Sequence, residues 1–420
     1  RWLSDWSSDV CSSDLMAFNG TKNFPENKII SWLETIGVKF GANLNAYTAV
    51  DQTVYNISAV PVSRQGIIDS CLLILHDWSN SISLNEDDID KERGVIREEL
   101  RTRSSAQMRM IEALLPEIMP GSKYAYRLPG GLVSVIDNFT YEELRSYYHK
   151  WYRPDLQGII VVGDVDPEAI EKQIVKLFGA IPKPKNPAVR EEFEVPNTKE
   201  PLVSVVSDPE ATGTSVMLMY KHDVMPKQFR PTVASLVNNY LKSMTTMMLN
   251  ARLAEITQKA NAPFTRASAS HSDFIVSNTK ASFGISAGAK DGGIEEALRA
   301  IVHEAEKVKR FGFTPSEYER AKANYISRLE QTFKEREKLN NSYFVDQILN
   351  HFLTDEALPG IEMEYAMMQQ IAPAIPVEQI NTFAMSLPTE ENVVVAVMMP
   401  RKEGIVIPEN DKLLAVFKDA

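Results

Sequence analysis

The sequence predicts an α+β protein built from two duplicated domains, each a mostly antiparallel sheet packed against helices. Three observations carry that expectation. At 420 residues the chain is too long for one ordinary core and suits two domains of about 200 residues each. A segment rich in proline and charge, PKPKNPAVREEFEVPNTKEP, interrupts it near the middle. On either side of that segment, strand-like and helix-like runs recur in the same order, at a period of a whole domain.

The elements follow in chain order. Residues 1–15, RWLSDWSSDVCSSDL, repeat Ser-Ser-Asp around Trp and Cys and show neither a helical nor a strand period. We expect them to be a non-native leader joined to the coding frame at Met16, and they stand outside the fold expectation. From Gly41 to Val60 the run GANLNAYTAVDQTVYNISAV alternates Thr, Tyr and Val with polar residues and reads as two strands. Ser83 and Glu86 form a capping-box pair that opens a helix running to about Met119, where Pro120-Gly121 ends it.

Thr140 and Glu143 form a second capping box, opening YEELRSYYHKWY, and QGIIVVGDV after it reads as a short apolar strand. Asp166 as N-cap with Pro167 at the first helical position opens EAIEKQIVKLFG. The first domain is therefore expected over 16–182, the linker over 183–201 and the second domain over 202–420.

The second domain repeats the plan. The strand SVMLMYKH, the helix around LVNNYLKSMTTMMLNARLAEI and the strand ASFGISAGAK come first. Thr314, Pro315 and Glu317 combine a capping box with proline at the first helical position and start a helix expected to reach about Leu349. VEQINTFAMSL followed by ENVVVAVMMP then mirrors YEELRSYYHKW followed by QGIIVVGDV. The methionines from Met244 to Met248 fall in a helical pattern and read as core fillers.

Composition excludes several function classes. Hydrophobic residues at 44% and charged ones at 24% are those of a globular chain. The net charge of -11 argues against nucleic-acid binding, which needs clustered Lys and Arg. No stretch approaches the roughly 20 apolar residues of a membrane span. Two cysteines, Cys11 and Cys71, build no disulfide framework and leave the compartment open.

The segment with chemistry in it is IDKERGVIREELR. On a helix, Glu92 and Glu99 stand seven residues apart on one face, while Glu98 points about 100° away. Two carboxylates aligned in this way suit a metal, one binding it and one orienting from behind. Taken alone, such a segment is more often a solvated face. None of the six histidines, His76, His149, His222, His271, His303 and His351, has a partner at the i,i+4 spacing of a metal-binding helix.

The segment does not stand alone. MAFNGTKNFP, FGANLNAYTAVDQTVY, ERGVIREE, PGSKYAYRLPGG and YRPDLQGIIVVGDVD, in this order and spacing, resemble the active half of pitrilysin/insulinase zinc metallopeptidases. GFTPSEYERAKANYISRLEQTFKERE resembles the second domain of that half, so the resemblance runs from Met16 to Ala420. It implies a Zn²⁺ site made by His-x-x-Glu-His on one helix and a distant glutamate on another, the inner glutamate being the general base. The distant ligand then falls on Glu99, with Glu92 as the supporting carboxylate. The His-x-x-Glu-His motif would stand immediately before Met16, where this chain has no histidine, so the fragment as written is expected to be inactive.

The same resemblance implies that the strand around Asn45, Ala46, Tyr47 and Thr48 pairs with an extended peptide. It also implies a peptide or unfolded polypeptide as substrate and a second two-domain half, as a continuation or as a partner subunit. A bacterial periplasm or envelope is the compartment it suggests. In the second domain Glu319-Arg320 matches Glu92-Arg93, but Ile326 stands seven residues on, so only the first domain is built for chemistry. The alternative reading is a non-catalytic relative that serves as a partner or peptide-binding subunit.

Overall fold

The protein is described here by a computed structural model covering residues 16–64 and 66–420. Its contacts divide the chain into two compact units. The first runs to Ser104 and resumes over Tyr126–Glu191; the second takes Ser105–Ala125 and Glu192–Ala420. The break at Glu191 falls inside the segment 183–201. The segment 105–125, which sequence order alone puts with the first domain, is counted with the second.

In the first unit, residues 16–19 are helical. α1 (Lys28–Thr35), the antiparallel hairpin β1 (Leu44–Thr48) and β2 (Thr53–Ile57), α2 (Ile67–Asn80) and α3 (Glu86–Arg103) follow. After the excursion into the second unit come α5 (Val133–Asn138), α6 (Tyr141–Trp151) and α7 (Pro167–Phe178). The core gathers Met16, Ala17, Phe18, Ile29, Leu33, Ile74, Trp78, Ile89, Leu144 and Tyr148. Trp78, 1% exposed, is its largest side chain and spends its indole N–H on the carbonyl of Ala17 at 2.8 Å.

α4 (Ala106–Ile118) is what carries 105–125 into the second unit. It buries Met110, Leu114, Leu115 and Ile118, and Arg109 clamps Asp208 with two 2.7 Å hydrogen bonds. Tyr124 adds a 2.7 Å hydrogen bond from its hydroxyl to Asn278. The expected single helix from Ser83 to Met119 is therefore two helices, because Ser105 turns out and accepts from Met108 N as a new N-cap. Asn85, not Ser83, holds the N-cap position of α3, and it makes no side-chain cap bond.

The second unit holds a five-stranded sheet in the order β3-β7-β4-β6-β5. Its strands are β3 (Leu202–Asp208), β4 (Thr214–Asp223), β5 (Phe264–Phe274), β6 (Ser277–Ala289) and β7 (Val393–Pro400). Only β3 and β7 run parallel, so the sheet is mostly antiparallel. α8 (Val233–Thr257), α9 (Ile294–Phe311), α10 (Pro315–Lys334), α11 (Asn341–Thr354), α12 (Gly360–Ala374), α13 (Val377–Ser386) and α14 (Asn410–Asp419) complete it. α9 shows why such a helix docks. Ile294, Ala297, Leu298, Ile301, Val302, Ala305 and Val308 recur at three- and four-residue steps and are all buried.

Apart from the Ser83/Glu86 pair, the local capping signals hold. The capping boxes at Thr140/Glu143 and Thr314/Glu317 are both made, and Asp166 caps α7 ahead of Pro167. Met244 and Met248 are core residues. Two further expectations fail. The helix expected to reach Leu349 ends at Lys334, and α11 starts anew at Asn341 after a 3-10 turn at 336–338. QGIIVVGDV is not a strand of any sheet among the described residues, since an apolar run becomes a strand only where a neighbour takes its backbone bonds.

The duplication is visible in element order. A hairpin followed by two helices occurs as β1-β2-α2-α3 and again as β5-β6-α9-α10, and α6 with 157–165 parallels α13 with β7.

Candidate metal centre

α3 is fixed by its buried side. Ile89 and Ile96, seven residues apart, are each 1% exposed, and Ile89 packs in the core of the first unit. Glu92 and Glu99 each lie three residues further on, which rotates them about 60° from that buried seam and leaves both half-buried at the edge of the helix face. Arg93 locks the rotation: its guanidinium donates to the carbonyls of Ile136 and Phe139 and lies 3.9 Å over the Phe139 ring. Arg97 adds a bond to Asp137 at 2.6 Å. Gly130, at φ 111°, lets the loop approach α3 so closely that a Cβ there would meet Leu100 at 2.7 Å.

The two carboxylates sense one another. Burial pushes the Glu92 carboxyl above its ordinary value, Asn19 opposes with a hydrogen bond, and Asp88 and Glu99 add like-charge repulsion. Asn19 Nδ2 reaches Glu92 Oε1 at 2.7 Å. Glu99 carries an ion pair to Arg103, one turn along. Glu98 points elsewhere, into solvent with Arg101, as the helical period requires.

Asn19 is the link the sequence did not reveal. It ends the helical stretch 16–19, which is seated by the Trp78–Ala17 bond and by Phe18 packed edge-on to Trp78 and Phe40. Asp77 then holds the exit from this turn, accepting from Thr21 Oγ1, Asn23 N and Asn23 Nδ2 at 2.7 to 2.8 Å.

The donors for a metal are too few as they stand. Among the described residues there is no group of three or more His, Cys, Asp or Glu side chains that could hold one, and residues 1–15 lie outside the description. Glu92 and Glu99 contribute two carboxylates from one face of α3.

The strand β1 presents Asn45, Ala46, Tyr47 and Thr48 along an edge to which no further strand pairs among the described residues. Tyr47 is 46% exposed. One backbone donor there is already engaged: Ala46 N gives its hydrogen to Asn45 Oδ1 at 2.9 Å. Tyr55, across the hairpin, is structural, stacked on Trp78 and hydrogen-bonded through its hydroxyl to Tyr152.

A duplicated α+β framework whose first copy aligns two carboxylates on a helix, and whose second has isoleucine at the matching place, defines a class in which one copy is equipped and the other is not. The chain belongs to the pitrilysin/insulinase family, peptidase family M16. Residues 13–127 match the family model described as Insulinase (Peptidase family M16), and residues 138–325 match that of the Peptidase M16 inactive domain. A zinc protease PQQL-like of Arabidopsis thaliana is 29% identical over 370 residues, which is 88% of this chain and 35% of that protein. The probable zinc protease PqqL of Haemophilus influenzae is 34% identical over 245 residues, 57% of this chain and 26% of the relative. The crystal structure of the periplasmic protease PqqL from Escherichia coli superposes with a TM-score of 0.86 at 24% identity, over 98% of this chain and 45% of that one. A structure of the first half of the same protein gives 0.86 over 87% of its length. The chain thus spans about a third or less of the length of these curated relatives.

Proposed function

We propose that this chain is the active-type half of a zinc metalloendopeptidase that acts on peptides or unfolded polypeptide segments. Glu99 is its distant metal ligand and Glu92 the carboxylate that supports the site. One observation carries the reading: the Asn19–Glu92 hydrogen bond brings the turn that begins at Met16 against the face of α3 that bears both glutamates. Zinc, where its remaining donors come from residues before Met16, supplies the Lewis acid for amide hydrolysis.

The residues of this chain have their own tasks. Glu92, half-buried and hydrogen-bonded by Asn19, stands on the same helix face as Glu99 and supports the ligand from behind. The edge of β1 from Asn45 to Thr48 takes an extended peptide by backbone pairing, which reads little sequence. A second two-domain half, continuous with this chain or separate, closes the substrate in. The periplasmic relative from Escherichia coli supports the periplasm as the compartment. With no histidine among residues 1–15, the chain as it stands is proposed to bind zinc poorly and to hydrolyse nothing.

The test is to read the genomic sequence upstream of Met16, restore a His-x-x-Glu-His segment there, and measure zinc content and peptide cleavage with Glu99→Gln beside it. The restored chain should hold about one zinc and the variant should lose most of it. A Gln variant with full zinc and full rate removes the assignment of Glu99.

A further inference from the structure

Within the second unit, three helices line an open cleft of about 360 Å³ for which the peptidase chemistry above has no task. α8 contributes Thr246 and Met247, α10 contributes Tyr325, Arg328 and Leu329, and α12 contributes Glu364. Its size suits one long side chain with a little backbone.

Glu364 is the unusual member. It is half-buried, and among the described residues it has no hydrogen-bond or ion-pair partner. Burial alone pushes its carboxyl above the ordinary value, with no charge or donor to bring it back. Tyr325 and Tyr343 flank it closely enough that its charge, after their own burial, helps to raise both phenols. The nearby cations are committed or turned away. Arg336 pairs with Glu362 and lies over Phe333, while Arg328 reaches only Asn324 O at 3.4 Å and Met247 Sδ at 3.3 Å. A half-buried carboxylate without a partner costs stability, and a cationic ligand removes that cost.

We propose that this cleft binds the basic side chain, lysine or arginine, of a polypeptide, with Glu364 as its counter-charge. Met247, Leu329 and the Tyr325 ring receive the aliphatic stem, which such side chains bury while their charged head finds an anion. Arg328, with donors to spare, takes a carbonyl of the adjoining backbone. That the ligand is a polypeptide rests on the proposed function; the cleft and its unpaired carboxylate do not.

The experiment is calorimetric titration of the chain as it stands, at low ionic strength, with acetyl-Leu-Lys-Leu-amide and with the same peptide carrying norleucine in place of lysine. The lysine peptide should bind at least about tenfold more tightly than the norleucine peptide, and Glu364→Gln should abolish the difference. Glu364→Gln removes an unpaired half-buried charge, so its thermal midpoint should hold or rise. The norleucine arm uses unaltered protein and decides the matter even if the variant unfolds. Equal binding of the two peptides, no binding of the lysine peptide, or full discrimination by a folded Gln variant each overturns the proposal. Cleavage is not read, so loss of the zinc assignment would leave this result standing.

Discussion

Asn19 donates a 2.7 Å hydrogen bond from its side-chain amide to Glu92, a residue 73 positions away, and so ties the turn beginning at Met16 to the middle of α3. The bond does two things at once. It gives a half-buried carboxylate a donor, and it holds Asn19 on the same helix face that carries Glu99.

Asn19→Leu should leave the Glu92 carboxylate without its donor and cost about 1–3 kcal/mol in denaturant unfolding. Glu92→Gln in the same background should recover part of that loss, because an amide tolerates the site better than an unpaired charge. Strictly additive effects of the two substitutions would show that the bond is not a coupling in solution.

Trp78 is the keystone beneath that turn, buried among Phe18 and Tyr55 with its indole on Ala17 O. Trp78→Ala should cost about 3–5 kcal/mol. Trp78→Phe should cost less, since the ring contact survives and only the hydrogen bond is lost. Equal midpoints for wild type and the Ala variant in urea would contradict this packing.

Acid should weaken the second unit through Asp208. The hydrogen bonds from Arg109 hold its carboxyl down to about 2, against an ordinary 3.8. A carboxylate whose folded value is depressed stabilises the fold above its unfolded value and loses that contribution as pH falls towards the folded one. The loss is therefore expected between about pH 4 and pH 2, and Asp208→Asn should flatten that stretch of the unfolding midpoint against pH.

His271 acts at milder pH. Burial, and after it the charge of Lys242 and the neighbouring His222, pushes it down to about 3 from 6.5. Its ring lies 4.6 Å from His222 and stacks on Phe383, and neither ring nitrogen has a partner among the described residues. The unfolded chain takes up this proton first, so stability is complete above about pH 6.5 and declines below it. His271→Leu should lose less thermal stability than wild type between about pH 7.5 and pH 5, and parallel curves would count against a buried neutral imidazole.

Much of this fold was legible because its signals are short-range. Thr140 with Glu143 and Thr314 with Glu317 close their capping boxes within four residues, whereas Ser83, whose backbone N–H is taken by the distant Gly20 carbonyl, does not cap with Glu86. The alternation in NLNAYT and TVYNI gave the hairpin for the same reason. The misread stretches depend on distant partners. α4 starts anew after Ser104 and belongs to the second unit, and Ile159 to Val162 have the composition of a strand but no ladder among the described residues. At the site, the seven-residue spacing was enough to align Glu92 with Glu99. Nothing local marked Asn19 as their neighbour, or Glu364 as different from any other of the 56 acidic residues.

By itself the sequence determined the helical face that carries the two carboxylates, the two-domain α+β plan, and the absence of a matching carboxylate at Ile326, since each follows from period and spacing along one stretch of chain. Tertiary structure alone decided that Asn19 lies on Glu92, that Arg109 belongs with Asp208, and that Glu364 has no partner among the described residues. Those facts depend on which distant groups the packed core brings within hydrogen-bonding reach, and on how much water it removes from around them.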